Sequence, residues 1–166
     1  FALSKHSLNL WAEIIAKQKS IKLGWFRLFF VYGPGQRAES LIPSILNNLK
    51  KGKLPNIRTP INANDFVYVD DVANAFSKAV SINFPSGIYN LGSGRSTSVL
   101  EVCRIAEKIV LDSESLTAQL ESKTESSQFE VDFWADIKHS KEFLDWRPTT
   151  SLKEGIHQTQ QWINNQ

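Results

Sequence analysis

Phe1 and Lys5 stand four residues apart at the head of a helix-like run, FALSKHSLNLWAEIIAKQ, a spacing that puts both side chains on one helical face. With tyrosine in the first position, the pair would suggest proton and hydride chemistry. Position 1 is phenylalanine, which has no ionisable group. The other chemistry-bearing residues have structural readings. Asp70, Asp71 and Asp136 are placed to cap helices. His6, His139 and His157 lack metal-ligand spacing, so no metal site is expected. Cys103 falls on the apolar side of a helical pattern, as a buried thiol does. Arg27, inside an apolar strand, calls for a salt bridge or a place at the sheet end. Trp134, Trp146 and Pro148 read as packing in the C-terminal part.

These residues need elements to position them. Residues 2–18 carry Leu3, Leu8, Leu10, Trp11, Ile14 and Ile15 as a broad apolar helix face. Residues 21–32, rich in aromatic and β-branched side chains and ending at Gly33-Pro34-Gly35, predict one long buried strand. Helical spacing returns over 38–49, and Lys50, Lys51 and Lys53 read as cations in its last turn. Residues 54–64 form a loop with one short strand; 66–69 and 87–91 are further short strands, and a helix lies between them. Ser98 to Glu101 is a capping-box pattern opening a helix through residue 110. Gly92-Ser93-Gly94 is a turn, residues 129–133 alternate like a strand, and helices end the chain near 136–144 and 152–163. Alternating strands and helices give an α/β class, yet a doubly wound sheet needs several long apolar strands and only one is present. Half of a larger domain fits better than a whole one.

The 166 residues suit one domain, with an ordinary soluble profile of 42% apolar and 22% charged residues. A formal charge of +2 is too balanced for a nucleic-acid partner. A single cysteine rules out an internal disulfide, and no stretch reaches the ~18 apolar residues of a membrane span. Cytoplasm is the expected location. The absence of methionine, initiator included, sets the expectation that Phe1 is not the natural start.

FALSK, FRLFFVYGPGQ, SLIPSILNNLKKGKLP, NDFVYVDDVANAF, GIYNLGSG and FWADIKHSKEFLDWRPTTSLKEGI, taken in order, resemble the C-terminal half of an extended short-chain dehydrogenase/reductase of the nucleotide-sugar epimerase/dehydratase family. The resemblance implies the C-terminal part of a Rossmann-like parallel sheet plus a small mixed α/β substrate-binding lobe. Residues 1–37 and 65–92 would supply sheet elements and 38–64 and 93–166 mainly the lobe. The Gly-rich dinucleotide fingerprint and catalytic Ser/Thr of that family have no counterpart here, so the N-terminal dinucleotide-binding half is expected to be absent.

FALSK falls at the family's YxxxK position. There the phenolate moves a proton on a sugar hydroxyl while the nicotinamide of NAD or NADP exchanges a hydride; the lysine holds the cofactor ribose and lowers the phenol pKa from ~10. The resemblance therefore assigns Lys5 to the ribose and Phe1 to the place of the tyrosine. A natural Phe1, an introduced one and an end effect stay open. Phe29 and Phe30 would lie beside the nicotinamide, and Gln36, Arg37, Ile42, Arg58 and Asn64 would wall a nucleotide-sugar cleft. Phe30 replaces an asparagine that contacts the sugar nucleotide. Asn64 and a position near Ser126 replace phosphate-binding arginines, a loss of about 1.5–3 kcal/mol each. Arg37 and Arg58 either replace them or are solvated. In related enzymes the first helix packs into a two-fold four-helix interface; Leu3, Leu10 and Trp11 suit such a homodimer, or else cover the sheet of the missing half. A non-catalytic ligand- or partner-binding relative is the competing reading, and a free-standing small α/β domain a third.

Overall fold

The computed structural model describes residues 1–121 and 131–166. Helix α1 (Ala2–Lys19) leads to strands β1 (Gly24–Leu28) and β2 (Phe30–Tyr32), then α2 (Leu41–Leu49) and the short strand β3 (Ala63–Asn64). Strand β4 (Phe66–Tyr68), helix α3 (Val69–Ser81), strands β5 (Gly87–Leu91) and β6 (Thr97–Ser98) and helix α4 (Val99–Leu111) follow. Helices α5 (Ala118–Glu121), α6 (Lys138–Leu144) and α7 (Leu152–Asn164) complete the order.

The long strand expected over 21–32 is two strands, because Phe29 breaks it and each half takes its own partner. β1 runs parallel to β5 from Gly24↔Gly87 to Leu28↔Leu91, while β2 runs parallel to β4 from Phe30↔Phe66 to Tyr32↔Tyr68. Nor is it buried throughout: Leu28 and Phe30 are exposed. Arg27 is exposed too, and among the described residues it joins no ion pair, so the expected salt bridge is absent. β3 and β6 pair antiparallel.

Strand periodicity divides the interior in two. β4 is buried along its whole length; Phe66 and Tyr68 enter one core with Tyr32, Ile42, Leu46, Cys103 and Ile156, whereas Val67 enters another with Val72, Tyr89, Leu144 and Trp146. The first core lies under α2, α4 and α7, the second under α3 and α6. Burial pushes the Cys103 thiol up to about 12, with Glu107 adding to it, which makes it an inert packing group.

Helix ends show which local signals mattered. Ser98 accepts from the Glu101 N–H, as its capping box requires, and Ser151 does the same for Glu154. The helix expected from residue 38 starts at Leu41, and the three lysines lie at its end and in the turn beyond rather than in its last turn. Asp70 and Asp71 do not cap α3, whose N-cap is Tyr68. The buried Asp71 carboxylate instead accepts from the Thr149 N–H and hydroxyl and the Thr150 N–H, while the Trp146 indole donates to its carbonyl. Asp136 accepts from the Lys138 N–H one residue ahead of the N-cap of α6. Trp146 is buried as expected, but Trp134 is exposed. Of the strand expected over 129–133, residues 129 and 130 lie outside the described residues, and Asp132 makes an isolated bridge to Ala63.

α1 turns Asn9 and Ala16 inward and leaves Leu3, Leu8, Leu10, Trp11, Ile14 and Ile15 exposed. Among the described residues no helix is long and apolar enough to cross a membrane.

Candidate functional site

Phe1 is the N-cap of α1 and is 94% exposed; Lys5, one turn on, closes the first backbone hydrogen bond to the Phe1 carbonyl at 3.2 Å. That turn brings the Lys5 ammonium to 4.4 Å from the centre of the Phe1 ring, a cation–π contact. Lys5 makes no ion pair among the described residues, so its N–H donors are free for another acceptor.

A second cluster forms where β2 and β4 meet the start of α2. Parallel pairing sets Phe30 beside Phe66, with ring centres 5.4 Å apart, and the Phe30 N–H donates to the Asp65 carbonyl at 2.9 Å. Phe30, Tyr32, Phe66, Gln36, Ser40 and Ile42 wall a cavity of about 170 Å3. Three of the substrate residues expected from sequence, Phe30, Gln36 and Ile42, are thus brought together. Asn64 is two residues from Phe66 along the chain and half-buried. Arg37 and Arg58 are exposed and outside the cavity wall. Phe29 turns toward the second core, its ring 6.0 Å from that of Phe133. Ser126 lies outside the described residues.

Gln36 is held by the strand before it: Nε2 donates to the Val31 carbonyl at 3.1 Å, while Oε1 is buried and accepts from no donor among the described residues. Burial pushes the Tyr32 phenol well above its ordinary range; Tyr68 and Asp71 add to the shift and Arg95 opposes it. With its hydroxyl turned to the Leu152 carbonyl at 3.4 Å, Tyr32 is a neutral wall rather than a proton donor to the cavity.

Asp65 was not singled out by the sequence reading. It is fully buried, and its carboxylate accepts from the N–H groups of Ser93, Gly94 (2.9 Å) and Ala135 (3.0 Å). One carboxylate therefore ties the cavity strand to the turn after β5 and to the segment before α6. A Cβ on Gly92 would sit 2.6 Å from the Asp65 Oδ2, so glycine is required there by close approach. The signal was available in principle: a glycine turn presents several unpaired N–H groups, and an acid beside a buried strand is the group to accept them.

Comparison with known proteins follows the same lines. The profile of the NAD dependent epimerase/dehydratase family matches residues 1–92. A putative UDP-glucose 4-epimerase of Methanocaldococcus jannaschii is 31% identical over 170 residues, covering 99% of this chain and 53% of that protein. A dTDP-D-glucose 4,6-dehydratase of Bos taurus is 27% identical, covering 98% of this chain and 46% of its own. The chain spans about half the length of the curated relatives it matches. Among solved structures, UDP-glucose 4-epimerase of Thermotoga maritima with UDP-glucose superposes with a TM-score of 0.81 at 22% identity, over 99% of this chain and 53% of that one. A tyrosine-to-phenylalanine mutant of Bacillus cereus UDP-glucuronic acid 4-epimerase, in complex with NAD and a fluorinated substrate analogue, superposes at 0.79 with 23% identity, over 99% and 52%. At that identity the structures speak for the fold, a Rossmann-like α/β arrangement of which this chain holds a part. The profile match, covering more than half the residues, goes further: the chain belongs to the NAD dependent epimerase/dehydratase family.

Proposed function

We propose that the intact protein binds NAD or NADP and a nucleotide sugar and works at a sugar carbon, as an epimerase, dehydratase or reductase. The observation that carries the reading is the family match across residues 1–92, which includes the Phe1–Lys5 turn, β1, β2 and the cavity strands. A bound nicotinamide would supply the hydride chemistry. The residues present suit the nicotinamide-ribose end of that cofactor: Lys5 has an exposed ammonium that joins no ion pair among the described residues and is able to donate to ribose hydroxyls. Phe29 and Phe30 would flank the ring, and Gln36, Arg37, Ile42, Arg58 and Asn64 would line the substrate cleft. The 166 residues themselves are proposed to be the C-terminal half of the enzyme, with 1–37 and 65–92 as sheet elements and 38–64 and 93–166 mainly the substrate lobe. The pyrophosphate of a dinucleotide needs the N-terminus of a helix behind a glycine-rich turn, so useful cofactor affinity belongs to the intact protein. A homodimer through α1 and a cytoplasmic location complete the proposal.

A second reading is favoured by one specific observation, the missing hydroxyl at position 1. A phenyl ring holds Lys5 but moves no proton, so the protein would bind both ligands and turn over slowly, as a ligand- or partner-binding relative. One experiment separates the readings. In the full-length protein, NAD and NADP binding and turnover of UDP- and dTDP-hexoses are measured before and after Phe1→Tyr. The enzyme reading expects a rise in turnover of about 10²-fold or more with cofactor affinity unchanged. Binding with no gain from Phe1→Tyr supports the module, and absence of both NAD and NADP binding defeats both readings.

A further inference from the structure

We infer that Asn9 is a positioning residue for Lys5: its buried side-chain oxygen takes one N–H of the Lys5 ammonium while the other two hold the cofactor ribose. The inference rests on the assignment of Lys5 to the ribose proposed above and adds the group that aims it.

Asn9 and Ala16 are the buried residues of α1, and Asn9 is only 5% exposed. Its amide has one orientation. Nδ2 donates to Glu13 Oε1 at 2.9 Å, and a carboxylate only accepts, so the nitrogen must face Glu13. Oδ1 is left buried, with no donor among the described residues. Such an acceptor costs stability unless a donor reaches it.

The helical wheel selects the donor. At about 3.6 residues per turn, His6 and Glu13 flank Asn9 on one side, and Lys5, Ala12 and Ala16 on the other. The nitrogen takes the Glu13 side, so the oxygen is turned to the side of Lys5. Ala12 and Ala16 have no side-chain donor, and the backbone N–H groups around Asn9 are used within the helix. Lys5, one turn before Asn9 and within side-chain reach, is the donor that remains.

The ammonium has donors to give. It lies 4.4 Å from the centre of the Phe1 ring, a contact made by charge rather than by a directed hydrogen bond. Each ammonium carries three N–H groups. For an exposed cation, leaving water to reach a single buried oxygen is unfavourable. Two ribose hydroxyls offset that cost by supplying the other acceptors, and three partners then fix the ammonium. Lys5, Asn9 and Glu13 form a file along α1, running from cation to amide to carboxylate.

The test is a double-mutant cycle in the full-length protein, read as NAD and NADP affinity by calorimetry, with thermal melts to certify each fold. Lys5→Ala should weaken binding of the accepted cofactor about tenfold or more, and Asn9→Leu about fivefold. In the Lys5→Ala background, Asn9→Leu should cost less than about twofold, because its effect runs through the lysine. Asn9→Asp combined with Glu13→Gln reverses the pair but keeps an oxygen for Lys5, and should restore most of the affinity that Asn9→Leu loses. An equal loss from Asn9→Leu in both backgrounds, no loss in either, or no recovery in the reversed pair overturns the inference and leaves the ribose assignment standing. Cofactor affinity untouched by Lys5→Ala overturns the ribose assignment, and the inference with it.

Discussion

Glu107 shows how a single buried carboxylate carries a loop and a pH dependence together. It is fully buried in α4, and it accepts the Leu116 N–H at 2.9 Å and the Thr117 N–H at 2.7 Å. Burial pushes its carboxyl up, but the Leu116 amide, the Thr117 hydroxyl and amide and the Ser113 hydroxyl outweigh that, and the net is a pKa below the ordinary value. A folded-state pKa below the unfolded value of 4.5 means the carboxylate stabilises the fold above about that pH, and the contribution is lost as pH falls through the folded value. Glu107→Gln should therefore lower stability at neutral pH by about 1–3 kcal/mol, since an amide N–H₂ meets donors there. It should also flatten the acid side of the stability curve. Urea unfolding of the full-length protein between neutral and acid pH checks both. An unchanged acid slope would show that other groups govern it. Asp65 and Asp71 likewise accept several N–H groups from distant segments, and none of the three carboxylates was read this way from sequence. Each satisfies N–H groups from a segment 9 to 79 residues away, a relation that local pattern does not encode.

Elements with a local signature were the legible ones. β5, β4 and α4 fall where alternation, turn residues and the capping box placed them, because period and caps are local properties. Residues 21–32 misled for the opposite reason. An unbroken apolar run says that a segment pairs, but not that its halves pair with different strands, as β1 and β2 do. The candidate site divides likewise: Gln36 and Ile42 were placed with Phe30 through resemblance, whereas the Asp65 tie needed the fold. Packing of α7 is a test at this scale. A Cβ on Gly155 would collide with the Tyr32 hydroxyl and stand 2.8 Å from Tyr68 Cδ2, both rings belonging to the first core. Gly155→Ala should cost about 1–3 kcal/mol by overpacking, although alanine is the better helix former. Ser98→Ala, which only removes a cap, should cost about 1 kcal/mol. Urea midpoints rank the two, and a stabilised Gly155→Ala would mean α7 can move away from the tyrosines.

At the scale of the whole molecule the unsatisfied surface is concentrated on α1. Leu3, Leu10 and Ile14 form one apolar stripe, and Leu8, Trp11 and Ile15 another, separated by the polar and inward-facing residues of the helix. Leu10 and Ile14 share an apolar groove of about 700 Å3 with Ile21, Leu23 and Trp25 at the start of β1. Among the described residues β1 has a partner on one edge only, β5. A groove continuous with an open parallel edge suits further sheet, whereas the Trp11 stripe faces away from it and suits a second copy of α1. The two stripes then respond differently in the intact protein. Trp11→Glu should convert a dimer to a folded monomer, and Leu10→Glu should lower the unfolding midpoint without changing the association of what remains folded. The isolated 166 residues, with both stripes bare, should self-associate as concentration rises, since so large an exposed apolar face is not carried by a monomer. Sedimentation velocity with parallel thermal melts reads all three. A monomeric intact protein with unmodified Trp11 would remove the dimer, and an isolated chain that stays monomeric and unfolds cooperatively would make these residues a self-sufficient domain.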